Sequence, residues 1–188
     1  MLAENQTGYK NLIYLVSMGC VEGYYYKPRI DKELLRNHSE GLIALSACIA
    51  GELPKLVLNG EKEKARECAK EFIDIFGKDN YFIELQDHGL PEQKQIIPEL
   101  MAIAKELDIG LVATNDIHYL TKEDAFYQDV LMCIQMEKTI HDSDRMTFQT
   151  KEFYIKSEDE MRQLCDYVPQ AIENTAKIAQ RCNVDLDF

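Results

Sequence analysis

The sequence predicts an α/β fold in which parallel strands alternate with helices, on three observations. Short apolar runs at Leu42–Ser46, Tyr81–Leu85 and Leu111–Asn115 read as strands. The stretches between and after them carry apolar residues at helical spacing. The run at Leu111–Ala113 is continuous rather than alternating, as in a parallel strand covered by helices on both faces.

Each element has a local reason. Residues 5–19 predict a first helix, with Thr7 as N-cap and Tyr9, Leu12, Ile13 and Val16 on one stripe. Val21 to Ile30, with Tyr24, Tyr25, Tyr26 and Pro28, predicts irregular chain, because a proline pushes the residue before it out of helical geometry. Asp31 caps a short helix through Leu35 that ends near Gly41. After the first strand, Glu52–Leu58 is a short helix. Glu61–Phe76 is a long one, with Ala65, Ala69, Phe72, Ile73 and Phe76 at helical spacing and Gly77 closing it. The second strand leads to a helix from Glu92 to Leu107, which Pro98 is expected to kink or restart.

Beyond the third strand, Thr121 with Asp124 forms a capping box for a helix carried by Phe126, Val130, Cys133 and Ile134. Residues 138–150 are polar and turn-like, and Phe153–Lys156 predicts a short strand. Ser157 with Glu160 is a second capping box. Pro169 suits the first turn of a final helix whose Ile172, Ala176 and Ala179 face inward. An extended tail runs to Phe188.

The totals narrow the function. At 188 residues and 46% hydrophobic, the chain is long enough for one well-cored domain. A net charge of −12 repels phosphate backbones on average, so only a local basic patch would grip nucleic acid. The six scattered cysteines include no Cys-x-x-Cys pair, which fits reduced cytosolic thiols better than a zinc ribbon or a disulfide framework. No apolar run approaches a membrane span, and no secretion leader is evident, so a cytoplasmic location without membrane partners is expected. Dinucleotide, P-loop and serine-elbow motifs are absent.

If the three strands are parallel, their C-terminal ends share one rim, where chemistry sits in such folds. That rim carries Cys48, then Glu84 to His88, then Asn115, Asp116 and His118. Thiolate, carboxylate and imidazole are ligands for zinc or manganese, and the thiol favours zinc. Glu84 would hold a ligand in place rather than bind metal itself. His88, in the turn Asp87-His88-Gly89, is the weakest member of that set and could be plain surface. Lys27 and Arg29 could contact a phosphate, or be a solvated basic pair.

Four ordered blocks carry a resemblance that covers most of the chain: Glu22 to Asp31, Gly41 to Glu52, Tyr81 to Gln93 and Asn115 to Tyr119. They resemble the PHP domain (polymerase and histidinol phosphatase) of bacterial DNA polymerase III alpha subunits. Pro169 to Val184 resembles the segment where that domain hands over to the polymerase core, which the tail at 183–188 would begin.

The resemblance implies a single domain over 1–188, a partial PHP-type distorted (β/α)7 barrel with metal ions at the strand C-termini. Cys48, Asp116 and His118 fall on the family's metal-ligand positions, with Glu84 and Asn115 beside them as supports. The family's usual Ser-Gly-Cys stands here as Ser46-Ala47-Cys48. Its opening His-x-His motif has no counterpart, so on this reading the domain is truncated and the chain alone is expected to be inactive.

By resemblance, the parent would be a DNA-directed DNA polymerase, a nucleotidyltransferase of DNA replication, whose PHP domain supports 3′-5′ exonuclease proofreading with zinc or manganese. Its partners would be the rest of the alpha subunit, a proofreading exonuclease subunit, and DNA through the full protein. Two alternatives stand beside this: a non-catalytic scaffold that docks the exonuclease, and a free-standing PHP phosphoesterase.

Overall fold

The computed structural model describes residues 1–186. A four-stranded sheet in the order β1-β2-β3-β4 forms the centre, from β1 (Leu2–Ala3), β2 (Leu42–Leu45), β3 (Tyr81–Leu85) and β4 (Gly110–Ala113). The last three strands are parallel, with Ala44 beside Tyr81 and Ile83 beside Leu111. β1 joins antiparallel, with Leu2 opposite Ile43.

Eight α-helices surround the sheet among the described residues: α1 (Gln6–Val21), α2 (Lys32–Asn37), α3 (Glu52–Leu58), α4 (Lys62–Phe76), α5 (Pro91–Leu107), α6 (Ala125–Gln135), α7 (Glu158–Leu164) and α8 (Pro169–Arg181). The expected alternation of helices and parallel strands is therefore present, consistent with a partial barrel. The strands are sealed on both faces. Leu42, Ala44, Tyr81, Ile83 and Leu85 pack with Leu53, Ala65, Ala69, Leu100 and Ile103 from α3, α4 and α5. Ile43 and Val112, on the other side, pack with Ile178 of α8.

Several local signals act as the sequence implies. Asp31 accepts a 2.8 Å hydrogen bond from the Leu34 amide at the start of α2. Both capping boxes form, at Thr121 with Asp124 and at Ser157 with Glu160. The first leads into a short 3₁₀ turn, Lys122–Asp124, ahead of α6. Pro98 acts against expectation: it neither restarts nor interrupts α5, which runs as one helix from Pro91 to Leu107.

The structure corrects other expectations. Asn5, not Thr7, caps α1, its side chain accepting from the Gly8 amide at 3.0 Å. The buried line on α1 is Gly8, Leu15 and Gly19, while Ile13 and Val16 face solvent. Backbone packing against glycine draws α1 in: the helix lies on the Gly41 peptide, which leaves room for no side chain at Gly8. On α6, Met132 and Cys133 are buried while Phe126 and Ile134 are exposed. On α8, Ala176 and Ala179 face outward and Asn174 inward, where its amide donates to the Leu111 carbonyl at 2.8 Å. Residues 153–156 form one isolated bridge, Tyr119 to Tyr154, instead of a strand.

At the far end, the Asn183 amide donates to the Glu4 carbonyl at 2.9 Å. Arg181 Nε donates to the Glu4 carboxylate at 2.8 Å. The residues after α8 are thereby tied to the N-terminal edge of the sheet. Asp187 and Phe188, the end of the expected connection to a polymerase core, lie outside the described residues.

Candidate metal-binding cleft

The C-terminal ends of β2, β3 and β4 are joined by a rung of polar side chains. Ser46 Oγ accepts from the Glu84 amide at 2.9 Å. Gln86 Nε2 donates to Glu84 Oε1 at 3.0 Å and to Thr114 Oγ1 at 3.1 Å. The Thr114 hydroxyl donates to the same Glu84 oxygen. Glu84 therefore braces its neighbours across three strands. The chain then turns sharply at Ala47 (φ +65°) and Asp116 (φ +41°). An alanine in the left-handed region, as at position 47, costs about 1 kcal/mol.

Below these turns lies a cleft of about 230 Å³, with Cys48, Gln86, Gln93, Asp116, Phe148 and Phe153 in its lining. Two of the three proposed ligands, Cys48 and Asp116, are thus on one cleft, both half-buried. His118 is exposed beside it, its ring 4.9 Å from that of Phe148 and 5.5 Å from that of Phe153. Its Nδ1 donates to the Asp116 carbonyl at 2.6 Å, which turns that nitrogen away from any metal. Lys27 and Arg29 are exposed in the loop after α1 and absent from the cleft lining; Arg29 lies over the Tyr25 ring at 5.0 Å.

Asn115 has a structural part. Its amide donates to the carbonyls of Glu152 (3.0 Å) and Tyr154 (2.7 Å), fastening that segment along the loop after β4. The His118 amide adds a bond to the Phe153 carbonyl at 2.8 Å.

His88 is the largest correction at the site: far from being surface, it is 1% exposed. Its ring stacks on Phe153 with centroids 4.0 Å apart. Its Nε2 lies 2.9 Å from the Asn115 carbonyl, which can only accept, so that nitrogen carries the proton. Nδ1 then accepts from Gln93 Nε2 at 2.7 Å, while Gln93 Oε1 accepts from the His88 amide at 2.8 Å. Burial pushes the imidazole below its ordinary value, opposed by the bond to Asn115 and the charge of Asp116. His88 is a neutral structural residue with both ring nitrogens committed.

Against the demands of a metal, this donor set is incomplete. A zinc site takes three or four protein ligands, and the described residues gather no group of three His, Cys, Asp or Glu side chains able to hold an ion. What the cleft does offer is unmet acceptor capacity. Gln86 Oε1, in its lining, is buried without a hydrogen-bond partner, as is Asn115 Oδ1 outside that lining.

Residues 1–88 match the model of the PHP domain. The chain is 53% identical over 184 residues to the DNA polymerase III subunit alpha of Treponema pallidum, covering 98% of this chain and 16% of that protein. The subunit of the same name from Deinococcus radiodurans is 48% identical over 189 residues, covering 99% of this chain and 14% of that protein. That from Campylobacter jejuni is 43% identical over 198 residues, covering 100% of this chain and 16% of that protein. The chain thus spans about one-sixth of the length of these curated relatives. No helix among the described residues is long and apolar enough to cross a membrane.

Proposed function

We propose that this chain belongs with the PHP-domain region of DNA polymerase III alpha subunits and serves DNA replication as part of a DNA-directed DNA polymerase. The observation that carries this is 53% identity extending over 98% of the chain, beyond the residues that match the domain model. The remainder of such a subunit is its first partner, and the bacterial cytoplasm its setting. Polymerisation itself belongs to that remainder, and this region supports it. A full-length protein carrying this chain is expected to extend a primed DNA template with deoxynucleotides. A folded full-length protein that incorporates none would overturn the proposal.

A second reading, divalent-metal binding in support of 3′-5′ exonuclease action, is favoured by the cleft. Cys48 and Asp116 line it, His118 stands at its edge, and the buried Gln86 Oε1 in its lining lacks a partner. Two lining donors and one imidazole bind zinc or manganese more weakly than a closed four-ligand site. Zinc titrated into this chain by calorimetry is expected to give weak binding that the Cys48→Ala/Asp116→Ala double variant abolishes. Identical isotherms for the two proteins would remove the reading.

A further inference from the structure

The chain after α6 folds back over that helix and encloses a second cavity, of about 350 Å³. It shares Thr147 and Phe148 with the Cys48/Asp116 cleft as common lining. Two cations reach it, and they differ. The Arg145 guanidinium is held by the Asp129 carboxylate through both terminal nitrogens, one bond at 2.8 Å, and its side chain is only 11% exposed. Its charge is neutralised where it stands. Lys151 also lines the cavity, is exposed, and forms no ion pair among the described residues. Next to it, Thr150 Oγ1 is buried with no hydrogen-bond partner. On the α6 side, Phe126 is 57% exposed, with Tyr127 at 5.7 Å in an edge contact.

An exposed aromatic ring, an unpaired ammonium and an unsatisfied hydroxyl within one concave lining ask for a ligand that is aromatic at one end and anionic at the other. A purely apolar ligand would leave Lys151 and Thr150 unpaired, and a bare anion would leave Phe126 in water. We propose that this cavity binds one nucleotide unit of single-stranded DNA, its base against Phe126 and its phosphate at Lys151 and Thr150. The choice of DNA among aromatic anions rests on the replication role proposed above. A duplex would keep its bases stacked on each other and withhold them from Phe126. With a net charge of −12 on the whole chain, the binding is local and salt-sensitive.

The test is fluorescence anisotropy of this chain with a labelled oligodeoxythymidylate at low ionic strength. Phe126→Ala and Lys151→Ala are each expected to weaken binding about tenfold. An abasic oligonucleotide of equal length is expected to bind less tightly than the thymidylate, and Lys10→Ala, on α1, to change nothing. Both key side chains are solvent-exposed, so circular dichroism is expected to match the wild type. No wild-type binding, equal affinity for the abasic strand, or affinity unmoved by both variants would each overturn the proposal. Primer extension by the full-length protein reads the replication role separately: extension there with no binding here overturns the cavity alone.

Discussion

Gly8→Ala is expected to cost at least about 3 kcal/mol of stability, enough to unfold much of the population of a marginal domain. Helix propensity alone points the other way, since alanine in a helix is favoured over glycine by about 1 kcal/mol. The contact decides. A Cβ at position 8 would lie 1.8 Å from the Gly41 oxygen and 2.4 Å from its carbonyl carbon, and both atoms are backbone. Gly41 cannot retreat cheaply. Its φ is +70°, its oxygen accepts from the Glu4 amide at 2.8 Å, and the next residue, Leu42, already pairs with Ala3. Gly60→Ala is the control. Gly60 also has a positive φ, +77°, but open space around it, so only the conformational cost of about 1 kcal/mol is expected there. Urea midpoints of the two variants measure the difference. Equal losses would mean that the α1–Gly41 contact is not tight.

The same contact shows why parts of the fold were hidden in the sequence. Where an element is defined by its own residues, the pattern was legible: Glu52–Leu58 and Tyr81–Leu85 coincide with α3 and β3, and Asp31 caps α2 as its residue type suggests. Where tertiary packing chooses the face, hydrophobic periodicity pointed the wrong way. Glycine carries no apolar signal, so the Gly8–Leu15–Gly19 line was outweighed by Ile13 and Val16, which face solvent. Leu2–Ala3 is too short to show any period and becomes a strand only through its pairing with Leu42 and Ile43.

At the site, strand ends located Cys48 and Asp116 on a common cleft, because parallel topology alone brings them to one rim. His88 was hidden by its turn, since Gly89 at φ +81° looks like loop punctuation. A signal did exist. Gln93 shares the buried side of α5 with Ile96, Ile97 and Leu100, and a buried amide implies a buried partner. The cavity between α6 and the following loop had no such signal, because a turn-rich stretch does not reveal what it folds back upon.

Asn115 should be the most sensitive polar residue of the rim, with Asn115→Ala costing about 3 kcal/mol. The substitution removes both donors that fasten the Glu152 and Tyr154 carbonyls: Glu152 loses one bond of about 1 kcal/mol and keeps the Lys156 ammonium, while the Tyr154 carbonyl is left unpaired at about 1–3 kcal/mol. Asn115→Asp should fail almost as badly, because an ionised carboxylate donates nothing and would face the two carbonyl oxygens. The loss should appear locally as well as globally: hydrogen exchange at His118, whose amide binds the Phe153 carbonyl, is expected to accelerate.

The His88 imidazole beneath this loop adds a dependence on pH. Burial holds its folded value below the unfolded one, so the folded state binds fewer protons. Its contribution is complete above the unfolded value of about 6.5 and is lost as pH falls below it. Protonation at Nδ1 would also turn the acceptor for Gln93 into a second donor facing an amide N–H. Wild-type stability is therefore expected to decline as pH falls below about 6.5, and His88→Asn to start lower but decline less over the same range. Parallel declines for the two proteins would place the acid sensitivity elsewhere, and an Asn115→Ala protein as stable as the wild type would show that the 152–154 segment holds without its staple.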